Sequence, residues 1–146
     1  MRFMIIVPSG PESTDGSIGT EEQIADMQAY QEELLRAGVH VDGQGLHPSA
    51  KGARVSWEDG EWVVTDGPFA ESKELIAGFS IIDVASREEA LEWVKRWPPS
   101  CAPQPGLALE LRQIYSAEDF DELLTPELRR REAELREAAA RQAAQG

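Results

Sequence analysis

Between residues 66 and 74 the chain reads Asp66-Gly67-Pro68-Phe69-Ala70-Glu71-Ser72-Lys73-Glu74, a β-branched run stopping at a turn and then a cluster of charges. Asp66 and Glu71 are the candidate proton carriers, because a carboxylate close to an ammonium such as Lys73 has its proton affinity tuned by that charge. Asp before Gly-Pro also bonds its own backbone to build turns, and this turn role is the primary reading of Asp66. Phe69 and Lys73 are candidate ligand contacts on the same loop. Glu110 and Arg112 lie two apart in an alternating stretch, so they share one strand face. They form either an ion pair, worth about 0–1 kcal/mol at a surface, or a seat for a carboxylate or phenolate on Arg112. His47 in a Pro-containing loop, Ser80 after Gly78-Phe79, and Asp83 complete the candidates. His40 and Asp42 could share a strand face, but two His in the whole chain supply no metal-ligand set, so no metal is expected. There is no G-x-S-x-G, no Walker loop and no dinucleotide fingerprint, and no cofactor is expected.

The elements that hold these residues follow from periodicity. Arg2 to Val7 is an apolar run that reads as a central strand. Thr20-Glu21-Glu22-Gln23 has the capping-box pattern, and Ile24, Met27, Tyr30, Leu34 and Leu35 continue at helical spacing to a stop at Gly38. Val39 to Leu46 alternates loosely around Gly43 and Gly45, a strand with a bulge. Asp59-Gly60 is a two-residue hairpin turn that pairs Trp57 with Trp62 and Val55 with Val64 on one face and sets Glu58 against Glu61. Both Trp residues read as packing residues. Leu75 to Val84 is a strand, Ser86-Arg87-Glu88-Glu89 a second capping box, and the helix it opens ends at Pro98-Pro99 with Trp97 on its buried stripe and Trp93 off it. Leu107 to Ile114 is the last strand. The order β-α-β-hairpin-β-α-β predicts an α+β fold, a ferredoxin-like split βαβ with a hairpin insertion, over residues 1–115. Residues 116–146 read as a charged helical extension: Ser116 caps a short acidic segment over 117–124, and Thr125-Pro126 starts a helix.

Composition narrows the partners. A net charge of −13 excludes nucleic acid, which requires a basic face. Residues 127–146 hold five Arg against four Glu, a net of +1, which leaves −14 for residues 1–126. No apolar run nears the roughly 18 residues of a membrane span, so no membrane partner is expected. Cys101 stands alone in a Pro-rich loop with no base beside it, which fits a cytoplasmic chain without disulfides.

The stretch Asp66 to Glu74, Gly78-Phe79, Leu46-x-Pro48, Glu110-x-Arg112 and the Glu88-Glu89-Ala90-Leu91-Glu92-Trp93 helix together resemble the DGPF branch of the YCII-related family over residues 1–115. The resemblance implies a ferredoxin-like unit paired into a dimeric α+β barrel, hence a homodimer. It also implies a small-molecule ligand, since related proteins include a dehydrochlorinase of chlorinated aromatics. DGPF members are commonly encoded beside extracytoplasmic-function sigma factors. The narrower group's His–Asp pair has its His in the first helix, where this chain offers Met27 and Tyr30, and Ser80 stands where an aromatic is usual. Two function classes therefore stay open. One is acid–base chemistry on a small anionic or aromatic molecule, with Asp66 or Glu71 carrying the proton and Arg112 or Lys73 holding the anion. The other is a non-catalytic regulatory module, linked to such a sigma factor, whose tail contacts a protein partner.

Overall fold

Arg2–Pro8 forms β1, with Phe3 and Ile5 buried and Met4 and Ile6, pointing the other way, half-buried. The computed structural model describes residues 1–10, 19–70 and 74–146. β1 pairs antiparallel with β5 (Ile76–Asp83) on one side and β6 (Glu110–Gln113) on the other, while β2 (His40–Gly45) pairs antiparallel with the far edge of β5. The strand order is β2-β5-β1-β6. β2 has its bulge between His40 and Asp42, ahead of Gly43 and Gly45, around which the sequence placed it. β6 is shorter than the expected strand over 107–114. Its pairing ends at Ile6↔Glu110, and two residues further along β1 stands Pro8, which has no N–H to offer the ladder.

Two helices cover one face of this sheet. α1 (Glu21–Arg36) opens with the complete capping box: Gln23 N–H donates to Thr20 Oγ1 at 3.2 Å, and Thr20 N–H donates to the Gln23 side chain at 2.9 Å. It stops at Gly38, whose φ of 71° lets Val39 N–H reach back to Leu34 O at 3.0 Å. α2 (Arg87–Lys95) is capped by Ser86, but Glu89 bends back to Ala85 N–H at 2.9 Å instead of closing the box on Ser86. The core joins Phe3, Ile5 and Ile82 of the sheet to Tyr30, Leu34 and Ala90 of the helices. Trp93 as well as Trp97 packs against it, which corrects the reading of Trp93 as lying off the buried stripe. Tyr30 explains why: its hydroxyl donates to Trp93 O at 3.0 Å, drawing that turn of α2 onto α1.

The hairpin is a separate two-stranded sheet of β3 (Ala53–Glu58) and β4 (Glu61–Asp66), in the register the Asp59-Gly60 turn dictates. Both turn residues have positive φ, 48° and 86°, as the tight hairpin turn requires. Trp57 and Trp62 meet edge to face at 4.9 Å between ring centres, yet remain 60% and 66% exposed. Among the described residues neither Trp belongs to the buried core.

The chain divides into two compact units, Met1–Ile114 and Tyr115–Gly146. In the second, Ser116 donates from its N–H and its hydroxyl to the Asp119 carboxylate across a single 3-10 turn, Ala117–Phe120, shorter than the expected acidic segment. α3 (Pro126–Gln145) follows, capped by Thr125. Its sides carry the i,i+4 pairs Arg130–Glu134, Arg136–Glu132 and Arg141–Glu137, and Arg129 folds back onto Asp121.

Candidate functional site

The base of the hairpin is tied to the 3-10 turn that precedes it, Ser49–Lys51, by backbone and by one serine. Gly67 N–H donates to Gly52 O at 3.0 Å, and Phe69 N–H donates to Ser49 Oγ at 3.1 Å. A Cβ on Gly67 would lie 1.7 Å from Ser49 O, so only glycine fits where these two segments touch. The Gly67–Pro68 peptide is cis. Leu46 N–H donates to Ala77 O and Ser9 N–H to Leu75 O, both at 2.8 Å, which brings the ends of β1 and β2 to the start of β5. The result is a cleft of about 330 Å³ walled by His47, Ser49, Arg54, Phe69 and Glu74 among others.

Arg54 dominates its electrostatics. The guanidinium lies over the Phe69 ring, 4.2 Å from its centre, and forms no ion pair among the described residues. Glu74 lines the same cleft without pairing to Arg54. A cation unpaired among the described residues, a carboxylate, an imidazole and a hydroxyl thus share one open, partly apolar space. Such a set seats an anion and leaves a base free to move a proton.

The structure brings together two of the residues expected from sequence, His47 and Phe69, and distributes the others. Asp66 ends β4, exposed, and its carboxylate accepts no hydrogen bond among the described residues; the turn is secured by Ser49 rather than by Asp66 bonding its own backbone. Glu71 and Lys73 lie outside the described residues. Ser80 points to the helix-covered side of the sheet and lines a different cavity. Arg112 is on the side away from α1 and α2, opposite Met4, with its Nε 3.6 Å from Glu110 Oε1; both side chains are exposed. Glu110 borders a neighbouring depression that meets the cleft at Glu74, Leu75 and Ile76. Asp83 is engaged by the N-terminal ammonium at 3.1 Å and by Arg2 at 3.4 Å, and these hydrogen bonds hold its carboxyl below the usual range. Asp42 accepts from Gly43 N–H at 2.7 Å rather than from His40, whose Nδ1 is buried without a partner. Cys101 donates its thiol to Gln23 O at 3.4 Å, beside a Ser100 hydroxyl bound to Asp26 at 2.5 Å, a structural clamp on α1. Among the described residues no three His, Cys, Asp or Glu side chains stand close enough to hold a metal ion, and no helix is long and apolar enough to cross a membrane.

Sequence reasoning missed Arg54, Ser49 and Glu74. Arg54 carried one legible signal: in the hairpin register it stands opposite Thr65, on the face away from the Trp pair and one step from Asp66.

The YCII-related domain model matches residues 1–112, a span that includes every wall of this cleft. The chain belongs to the YCII-related family. A relative is an uncharacterized protein of Rhizobium meliloti (strain 1021), 39% identical over 75 residues, which is 51% of this chain and 60% of that protein. The match thus spans less than two thirds of the relative's length. In this YCII-related domain, the Asp66-Gly67-Pro68-Phe69 turn is the structural support of the cleft, holding Phe69 under Arg54.

Proposed function

We propose that the YCII-related domain, as a member of the DGPF branch, binds a small anionic molecule bearing a ring in the cleft at the Asp66–Phe69 turn. The observation that carries this is Arg54, stacked on Phe69 at 4.2 Å and unpaired with any carboxylate among the described residues of a chain with a net charge of −13. A ligand carboxylate or phenolate would meet Arg54 and the Ser49 and His47 side chains, with its ring against the apolar wall of Phe69 and Leu75. Acid–base chemistry on that ligand falls to Asp66, to Glu71 (two residues beyond Phe69 in the chain, with Lys73 two further along as another cation), or to Glu74.

The working unit is a homodimer, a ferredoxin-like α+β barrel formed by two sheets face to face. Met4, Ile6, Phe79 and Ile81 are half-buried on the sheet face opposite α1 and α2, and one side of the hairpin arm is apolar and exposed. In such a dimer Arg112 and Glu110 border the enclosed space and give the ligand a second anion contact.

Crystals soaked in benzoate test the reading. Density with the carboxylate within hydrogen-bond reach of Arg54 and the ring beside Phe69 is the expected result. Benzoate bound elsewhere, or an empty cleft at a concentration where solution binding is saturated, would overturn it.

A further inference from the structure

Beside the Arg54 cleft β6 parts from β1, and the parting leaves a depression of about 430 Å³. The two strands stop pairing at Ile6↔Glu110. Beyond that point Pro8 has no N–H for the ladder, and Ser9 N–H turns to Leu75 O at 2.8 Å. On the other side Leu107 N–H closes a turn onto Gln104 O at 2.9 Å, with Gly106 supplying the φ of 88° that the turn requires. Each backbone is thus bonded elsewhere, and Ile6, Pro8, Leu107 and Ala108 line the opening between them.

Glu74, Leu75 and Ile76 wall both this depression and the Arg54 cleft, so the two spaces adjoin where β5 begins. Ile76 is 44% exposed at that junction. A cavity of roughly 150 Å³ is enough for benzene, whereas the cleft alone has about 330 Å³. A single-ring acid seated on Arg54 therefore leaves the adjoining space empty. The side chains that wall the depression are apolar apart from Glu74 and Glu110, and Glu110 is engaged by Arg112 at 3.6 Å. Such a wall favours hydrocarbon, which gains by leaving water.

We propose that this depression takes the tail of the ligand held at Arg54, which makes that ligand an anionic ring carrying a short apolar chain on the side away from the anion. The inference rests on the anion reading of the cleft and extends it.

Calorimetric titration of the full chain with benzoate and para-propylbenzoate tests it. The propyl compound should bind about tenfold tighter. para-Methoxymethylbenzoate and para-aminoethylbenzoate, whose side chains have the same length, should lose most of that gain. Ala108 is exposed and lines only the depression, so Ala108→Trp fills the space and should bring para-propylbenzoate down to the affinity of benzoate, with benzoate itself unchanged. Should that variant fail to fold, Leu107→Ser serves, since it makes the same wall polar and should also reduce the gain. Equal affinity for benzoate and para-propylbenzoate, tighter binding of the amine than of the propyl compound, or a full gain in the Ala108 variant would each overturn the tail site and leave the Arg54 site standing. Absence of saturable binding by either acid would overturn both.

Discussion

Ser49, not Asp66, fills the turn-securing role that local sequence suggests for Asp66. Asp before Gly-Pro reads as its own turn-former, yet Phe69 N–H is taken by Ser49, twenty positions earlier, and the Asp66 carboxylate is left to solvent. That part of Ser49 is illegible in one sequence because it depends on where the hairpin folds back. Asp66→Asn and Asp66→Ala should both unfold within about 0.5 kcal/mol of the parent in urea, while Ser49→Ala should lose about 1 kcal/mol. A larger loss in Asp66→Ala would return the turn to Asp66. If Asp66 carries a proton, Asp66→Asn lowers turnover roughly 10²–10⁴-fold with that stability intact. Tyr30 supplies a pH prediction. Burial, helped by the nearby Glu33 charge and opposed by Arg96, pushes its hydroxyl up to about 12. A raised folded-state value favours the neutral phenol, so its contribution is complete below the ordinary value of 10.0 and is lost as pH rises toward 12. Thermal melts of the parent should therefore fall between pH 10 and 12, and Tyr30→Phe, less stable at neutral pH by about 1 kcal/mol, should lack that part of the fall.

At the scale of elements, the local signals were the legible ones. The capping box at Thr20, the Gly38 stop and the Asp59-Gly60 turn each act through neighbours in sequence, and the residues themselves fix the outcome. What failed was tertiary: β6 stops early because its partner carries Pro8, and Glu89 reaches past Ser86 to Ala85. The cleft was half legible for the same reason. His47 and Phe69 stood out by type, whereas Arg54 and Ser49 gain meaning only once Gly67 packs on Ser49 O and Gly67 N–H bonds Gly52 O. Gly67→Ala tests that hinge of the argument. Its methyl would collide with backbone, so the variant should lose more than about 2 kcal/mol and its affinity for benzoate together. Full stability in Gly67→Ala would mean the two segments are not held so closely.

For the whole molecule, the exposed apolar surfaces demand a partner, and a second copy is the one proposed. A two-stranded hairpin alone is marginal in water, and this one exposes Val55, Trp57, Trp62 and Val64 on a single side. Multi-angle light scattering should give twice the chain mass at micromolar concentration, with an interface on the order of 1,600 Å² in total or more. Trp57→Ser combined with Trp62→Ser should shift the population toward monomer. A parent chain that stays monomeric would contradict the dimer without touching the cleft.

The central claim is that Arg54 makes the turn-side cleft an anion site, and calorimetric titration of benzoate into the full chain tests it directly. The parent should bind saturably, more weakly as salt is raised, and Arg54→Gln should lose about 1.5 kcal/mol or more of the binding free energy, over tenfold in affinity. Equal affinity in Arg54→Gln and the parent would contradict the account.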